Sequence, residues 1–158
     1  MHSEYLLEAL KACGKRMYHR VVDTTAFSKL ETVLEVAKHT ELFLIDLKVL
    51  DSEKHKEFTG VGNEKILSNI IELAKTNCEI IFRIPLIKEV NTSEKNILQT
   101  ALFINSLEGN RSLVNLLPYH TIAENKHLKL GSSTNFMKFE TPTTIEIKKI
   151  ISILFEPE

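Results

Sequence analysis

Cysteine is nearly absent from this 158-residue chain. Cys13 and Cys78 lie far apart in sequence, without metal-ligand spacing, and do not make a disulfide framework. Both are expected to be free, mostly buried thiols. An excess of one charge sign is missing too. Twenty Lys and Arg against 21 Asp and Glu leave a net charge of −1, which points to neither a nucleic-acid nor a membrane partner. No apolar run approaches the roughly 18 residues of a membrane span. The start, MHSEYLLEALKACGKR, has no basic segment followed by an apolar one, so it does not resemble a signal peptide. A cytoplasmic location is the resulting expectation. The length suits one domain, residues 1–158.

What the chain does have is four apolar runs that end in ionisable or hydrogen-bonding residues. They are Val21–Thr25 (VVDTT), Leu42–Lys48 (LFLIDLK), Ile80–Pro85 (IIFRIP) and Leu113–His120 (LVNLLPYH). A buried strand gains nothing from Asp23, Asp46, Lys48, Arg83 or His120 at its end. If the strands are parallel, these groups gather on one rim, where parallel α/β folds place their chemistry.

Helical patterns alternate with the strands. Ser3 is a candidate cap for a first helix that Gly14 would stop. Ser28 and Glu31 have capping-box spacing ahead of a stripe of Leu30, Val33, Leu34 and Ala37. Asn63 would cap the helix bearing Leu67, Ile70, Ile71 and Ala74. Asn91 and Glu94 precede Ile97, Leu98, Ala101 and Ile104. Thr143 and Glu146 open a last helix with Ile147, Ile150, Ile151 and Leu154. The strands alternate little, which predicts a parallel sheet covered on both faces and four right-handed βα units. A complete α/β domain seldom starts with a helix, so a segment is expected ahead of Met1. Residues 121–141 lack periodicity and form either a loop over the rim or a surface connection.

Each rim residue admits two readings. Asp23 with Thr24 suits a hard cation, a ribose or an ammonium, or else an Asx turn or cap. Asp46 and Lys48 share a strand face and either grip a zwitterion or pair with each other. Nothing else points to the carbonyl chemistry of a Schiff-base lysine. Arg83 in an apolar strand needs an anion, from a ligand or a neighbouring carboxylate. His120 is a structural histidine or a ligand-facing one. Gly60-Val61-Gly62-Asn63 is a turn with a cap, or more weakly a phosphate cradle. His39, His55 and His127 are expected at the surface.

Taken in order, DTT, FLIDLKVLDSEKHKEFTGVGNEKILSNI, FRIPLI, NLLPYH and ENKHLKLG resemble the glycyl-radical-enzyme activating enzymes. The resemblance runs from about Ser3 to Phe155. It implies an α/β fold in which about four parallel strands with flanking helices form the C-terminal part of a six-stranded, partial radical S-adenosylmethionine (SAM) barrel. It also implies that Asp23, Thr24, Asp46, Lys48, Arg83 and His120 line the SAM site. A monovalent cation would sit among Asp23, Thr24, the Leu44 carbonyl and Asp46. In an intact enzyme of this kind, SAM cleaved at a [4Fe–4S] cluster yields a 5′-deoxyadenosyl radical. That radical takes a hydrogen from a glycine of a partner such as pyruvate formate-lyase.

The chain departs from the family pattern in three places. The cluster motif C-x-x-x-C-x-x-C and the GGEP motif do not occur in it. Where relatives often have I-P-G-x-N-D, it has Ile87-Lys88-Glu89-Val90-Asn91-Thr92. No iron–sulfur ligand and no catalytic residue are therefore expected on this chain, which should be inactive alone. An alternative is a non-catalytic remnant or module that binds SAM or a glycyl-radical-enzyme loop. A doubly wound phospho-acceptor receiver using Asp46 is a further reading, although its usual acidic pair and terminal lysine are missing. A partial barrel leaves a strand edge uncovered, which predicts a homo-oligomer through that edge or the inner face.

Overall fold

A computed structural model describes residues 2–109, 111–119 and 139–155. The elements are α1 (Ser3–Lys15), β1 (Val21–Thr24), α2 (Leu30–Ala37), β2 (Leu42–Asp46), α3 (Ser52–Thr59), α4 (Glu64–Ala74), β3 (Glu79–Leu86), α5 (Glu94–Ser106), β4 (Arg111–Pro118) and α6 (Thr144–Phe155). All four expected strands form. They pair in parallel in sequence order, β1-β2-β3-β4. A doubly wound sheet reverses its strand order at a switch point. The sequential order excludes the receiver arrangement and matches a segment of a βα barrel.

The strand alternation shows where the core lies. Val22 on β1, Phe43 and Ile45 on β2, and Ile80, Phe82, Ile84 and Leu86 on β3 are buried, and they join one cluster with apolar residues of the helices. Their neighbours at odd or even offset, such as Asp23, Leu44, Asp46, Ile81 and Arg83, lie on the opposite face and are not buried. On β4, Leu113 is 62% exposed and Leu117 42%. Among the described residues the helices thus cover one face, and the expectation of cover on both faces is corrected. The sequence pattern misleads because the second face is also largely apolar, as the concave side of a barrel is.

Several helix ends differ from expectation. The box Thr143–Glu146 forms: Glu146 Oε2 accepts from Thr143 N at 2.6 Å, and Thr143 Oγ1 accepts from Glu146 N at 3.3 Å. The helix α1 runs through Gly14, and the left-handed residue after it is Met17 (φ 57). Neither Ser3 nor Ser28 caps; His2 and Lys29 hold those positions without a side-chain bond. Ser93, not Asn91, caps α5 by accepting from Asn96 N at 3.4 Å. Asn63 occupies the cap position of α4 with its side chain turned inward. Gly60 ends α3 at φ 83 and makes the expected turn.

Candidate functional site

The carboxyl ends of β1, β2 and β3 bring together three of the expected residues. Asp46 and Arg83 are register partners on neighbouring strands, so their side chains rise from the open face side by side. Arg83 Nε donates to Asp46 Oδ1 at 2.9 Å, and Nη2 lies 2.7 Å from the same oxygen. Nη2 also reaches across β2 to Asp23 Oδ1 at 2.6 Å. One guanidinium thus serves two carboxylates. Partial burial opposes the charge on Arg83. The hydrogen bond and charge of Asp46, then those of Asp23, outweigh that burial and hold the guanidinium above its usual range. The Asp23 side chain stays 58% exposed, against 26% for Asp46 and 22% for Arg83.

The other candidates fall around this triad. Thr24 Oγ1 accepts from Ala26 N at 3.0 Å; the turn expected of Asp23 is made by its neighbour instead. Lys48 follows β2, and Leu47 N still donates to Arg83 O at 2.9 Å. Leu47 and Val49 are buried while Lys48 is not, so Lys48 continues the face of Asp46. Asp46 pairs with Arg83 rather than with Lys48, and among the described residues Lys48 has no ion-pair partner. His120 and most of 121–141 lie outside the described residues. The flanks of that segment meet at the rim: Thr141 Oγ1 donates to Tyr119 O at 2.7 Å, and the Tyr119 and Phe139 rings stand edge to face at 5.9 Å.

Sequence reasoning missed four buried asparagines behind the rim: Asn63, Asn69, Asn91 and Asn96. Asn69 Nδ2 donates to Ala26 O at 2.8 Å and Ser28 O at 2.9 Å, fixing the loop after β1. The other three hold the loop after β2. In the sequence Asn63 reads as a helix cap and Asn91 stands just ahead of a helix, where asparagine is common. The signal that distinguishes them is burial, which the sequence does not display. His55, expected at the surface, is buried as well; its Nδ1 lies 2.7 Å from Val61 O and 2.9 Å from Thr59 Oγ1.

The two cysteines do not fit an iron–sulfur cluster. Cys78 is buried at the opposite end of the sheet, and its thiol donates to Ala37 O and Thr40 O, both at 3.2 Å. Cys13 lies on α1, half-buried. Among the described residues no group of three His, Cys, Asp or Glu side chains could hold a metal ion. No helix among them is long and apolar enough to cross a membrane. The rim triad sets two carboxylates against a single guanidinium.

Comparison with known proteins agrees with the fold. The chain is 36% identical over 152 residues to the 4-hydroxyphenylacetate decarboxylase activating enzyme of Clostridium scatologenes, covering 95% of this chain and 48% of that protein. It is 33% identical over 148 residues to the trans-4-hydroxy-L-proline dehydratase activating enzyme of Clostridioides difficile, covering 93% and 49%. It spans about half the length of the curated relatives it matches. Among solved structures it is similar to a domain of pyruvate-formate lyase-activating enzyme from Bacteroides vulgatus, with TM-score 0.82 and 41% identity over 97% of this chain and 85% of that one. A radical SAM methyltransferase from Sphaerobacter thermophilus, 16% identical with TM-score 0.64 over 88% of this chain and 39% of that one, shares the fold. No family model matches.

Proposed function

This chain belongs to the glycyl-radical-enzyme activating enzymes, and from that premise we propose that its rim binds the methionyl end of SAM. Asp23 and Asp46 face the ammonium, and Lys48 faces the carboxylate. Arg83 keeps the two aspartates together, and His120 completes the SAM contacts. A monovalent cation shares Asp23, Thr24, the Leu44 carbonyl and Asp46. The observation that carries this reading is the single guanidinium between two carboxylates on an open sheet face. Its local charge is net negative, and Lys48 beside it is unpaired among the described residues.

Radical SAM activases in general use SAM and a [4Fe–4S] cluster, which together supply a carbon-centred radical. This chain's own share is to orient SAM at the rim and to keep water from its inner side. Its cysteines do not fit the cluster, so the chain alone holds no iron and activates no partner. In an assembly that supplies the cluster, the partner is a glycyl-radical enzyme of the pyruvate formate-lyase type. The exposed edge of β1 and the open face favour a homo-oligomer of the isolated chain.

Calorimetric titration with SAM tests the reading. Saturable binding is expected, weakened about tenfold by Asp46→Asn, a change of roughly 1.4 kcal/mol. Absence of heat with the unaltered chain overturns it. Heat with a glycine-loop peptide but not with SAM would favour a non-catalytic binding module. Stoichiometric iron after anaerobic reconstitution would overturn the absence of a cluster. A purely monomeric species in sedimentation at micromolar concentration would overturn the oligomer.

A further inference from the structure

The segment leaving β2 has an unusual way of satisfying its backbone. Lys48, Val49 and Leu50 offer three successive carbonyls, and each accepts from a buried asparagine amide. Asn91 Nδ2 donates to Lys48 O at 2.8 Å. Asn63 Nδ2 donates to Val49 O at 2.9 Å and Leu50 O at 2.8 Å. Leu50 N donates in turn to Asn96 Oδ1 at 3.0 Å, and Asn96 Nδ2 donates to Asn91 O at 2.9 Å. Asn91 extends the set to β3: its Oδ1 accepts from Ile87 N at 2.9 Å, and its Nδ2 also donates to Pro85 O. The three amides are between 1% and 7% exposed. They come from the start of α4, the loop after β3 and α5, so three separate parts of the chain converge on three residues.

A loop that only connected β2 to α3 would satisfy those carbonyls with water at the surface, as most loops do. Here the amides fix the backbone from the Lys48 carbonyl to Leu50, and the Leu47 N–H donating to Arg83 O fixes it just before, while the Lys48 ammonium has no ion-pair partner among the described residues. We propose that Asn63, Asn91 and Asn96 form a clamp that positions Lys48 beside Asp46 to receive a ligand carboxylate. This rests on the reading of the rim as a zwitterion site. The asparagines touch no ligand; they are positioning residues that act through Lys48. A fixed ammonium loses less conformational freedom on binding than one on a mobile loop.

The test uses Asn91→Asp, which keeps the acceptor for Ile87 N and removes the donor to Lys48 O. Affinity is measured by calorimetry for SAM and for decarboxylated SAM, which has the ammonium but no carboxylate. In the unaltered chain SAM should bind at least tenfold tighter than its decarboxylated analogue. The substitution should remove most of that ratio while leaving decarboxylated SAM unaffected, and Lys48→Met should do the same. The double substitution should add nothing further, since the clamp acts through the lysine. Equal weakening of both ligands, or full additivity, would overturn the clamp as a positioning device.

A ligand-free readout separates this from failure of the rim reading. Amide exchange at Leu50, whose N–H goes to Asn96, should quicken at least tenfold in Asn91→Asp if the three amides act as one unit, with Phe82 in β3 unchanged. Unchanged exchange at Leu50 overturns the clamp. Absence of any SAM binding by the unaltered chain overturns the rim assignment and, with it, the carboxylate role of Lys48.

Discussion

The two ends of the sheet use arginine in opposite ways. At the amino end, Arg20 meets one carboxylate. Its Nε lies 3.0 Å from both oxygens of Glu41, its backbone N donates to Glu41 Oε2 at 2.7 Å, and Nη2 pairs with Oε1. The charges cancel, and the start of β1 is joined to the start of β2. At the carboxyl end, Arg83 is divided between Asp23 and Asp46, and nearby Lys48 has no ion-pair partner among the described residues. A closed one-to-one pair is a joint. An unbalanced cluster on an open face retains charge that a ligand can use. The backing differs in kind as well. Behind Arg20 a buried thiol and hydroxyl, Cys78 and Thr40, satisfy backbone carbonyls, whereas behind Arg83 four buried amides do so.

The largest break in this comparison should come from Asn91→Leu. It strands Lys48 O, Pro85 O and Ile87 N in the interior, so a loss of about 3 kcal/mol is expected in urea unfolding. A loss below about 1 kcal/mol would show that water replaces the amide. Arg83→Met should cost about 1–2 kcal/mol at low ionic strength by leaving Asp23 and Asp46 without their shared cation. Asp46→Asn in the same chain should recover part of it; no recovery would mean the cost is packing.

A third substitution acts on the loop that departs from the family pattern. Glu89 has φ 65, and a left-handed side-chain residue is strained by roughly 1–2 kcal/mol. Glu89→Gly should therefore raise stability, by about 0.5–1 kcal/mol after the added unfolded-state freedom of glycine. A decrease would show that the Glu89 side chain contributes more than the strain removes.

The smallest effect belongs to the amino end. The Arg20 hydrogen bond pulls the Glu41 carboxyl down to about 2 from its usual 4.5. The folded value is the lower one, so the contribution is present above about pH 4.5 and is lost as pH falls towards 2. Glu41 is 39% exposed, and solvent screening keeps the effect below about 1 kcal/mol. Arg20→Met should flatten the stability profile between pH 4.5 and 2 and leave SAM binding unchanged. An effect on SAM binding would erase the distinction between the two ends.

The four strands were legible because each is an apolar run, mostly Val, Ile, Leu and Phe, broken or ended by a few polar residues. Their parallel order followed from the intervening helical stripes. Arg83 was legible as an anion partner, since an arginine cannot lie in an apolar strand without one. Which anion it takes was not, because Asp23 lies 60 residues away and only sheet register brings it within reach. The asparagines were misread for the same reason. Asn63 and Asn91 stand where helices begin, and a local pattern cannot tell an amide that caps a turn from one that reaches a distant carbonyl.

The sequence by itself determined the alternation of elements, the residues on each strand and their concentration at the carboxyl ends, because propensity and periodicity are local properties. Its ordered motifs also determined the family. Only the tertiary structure decided that the described helices lie on one face of the sheet, that Arg83 is shared rather than paired, and that three amides converge on Lys48–Leu50. Those outcomes depend on contacts between segments far apart in the chain, and such contacts exist only after the strands have set their register.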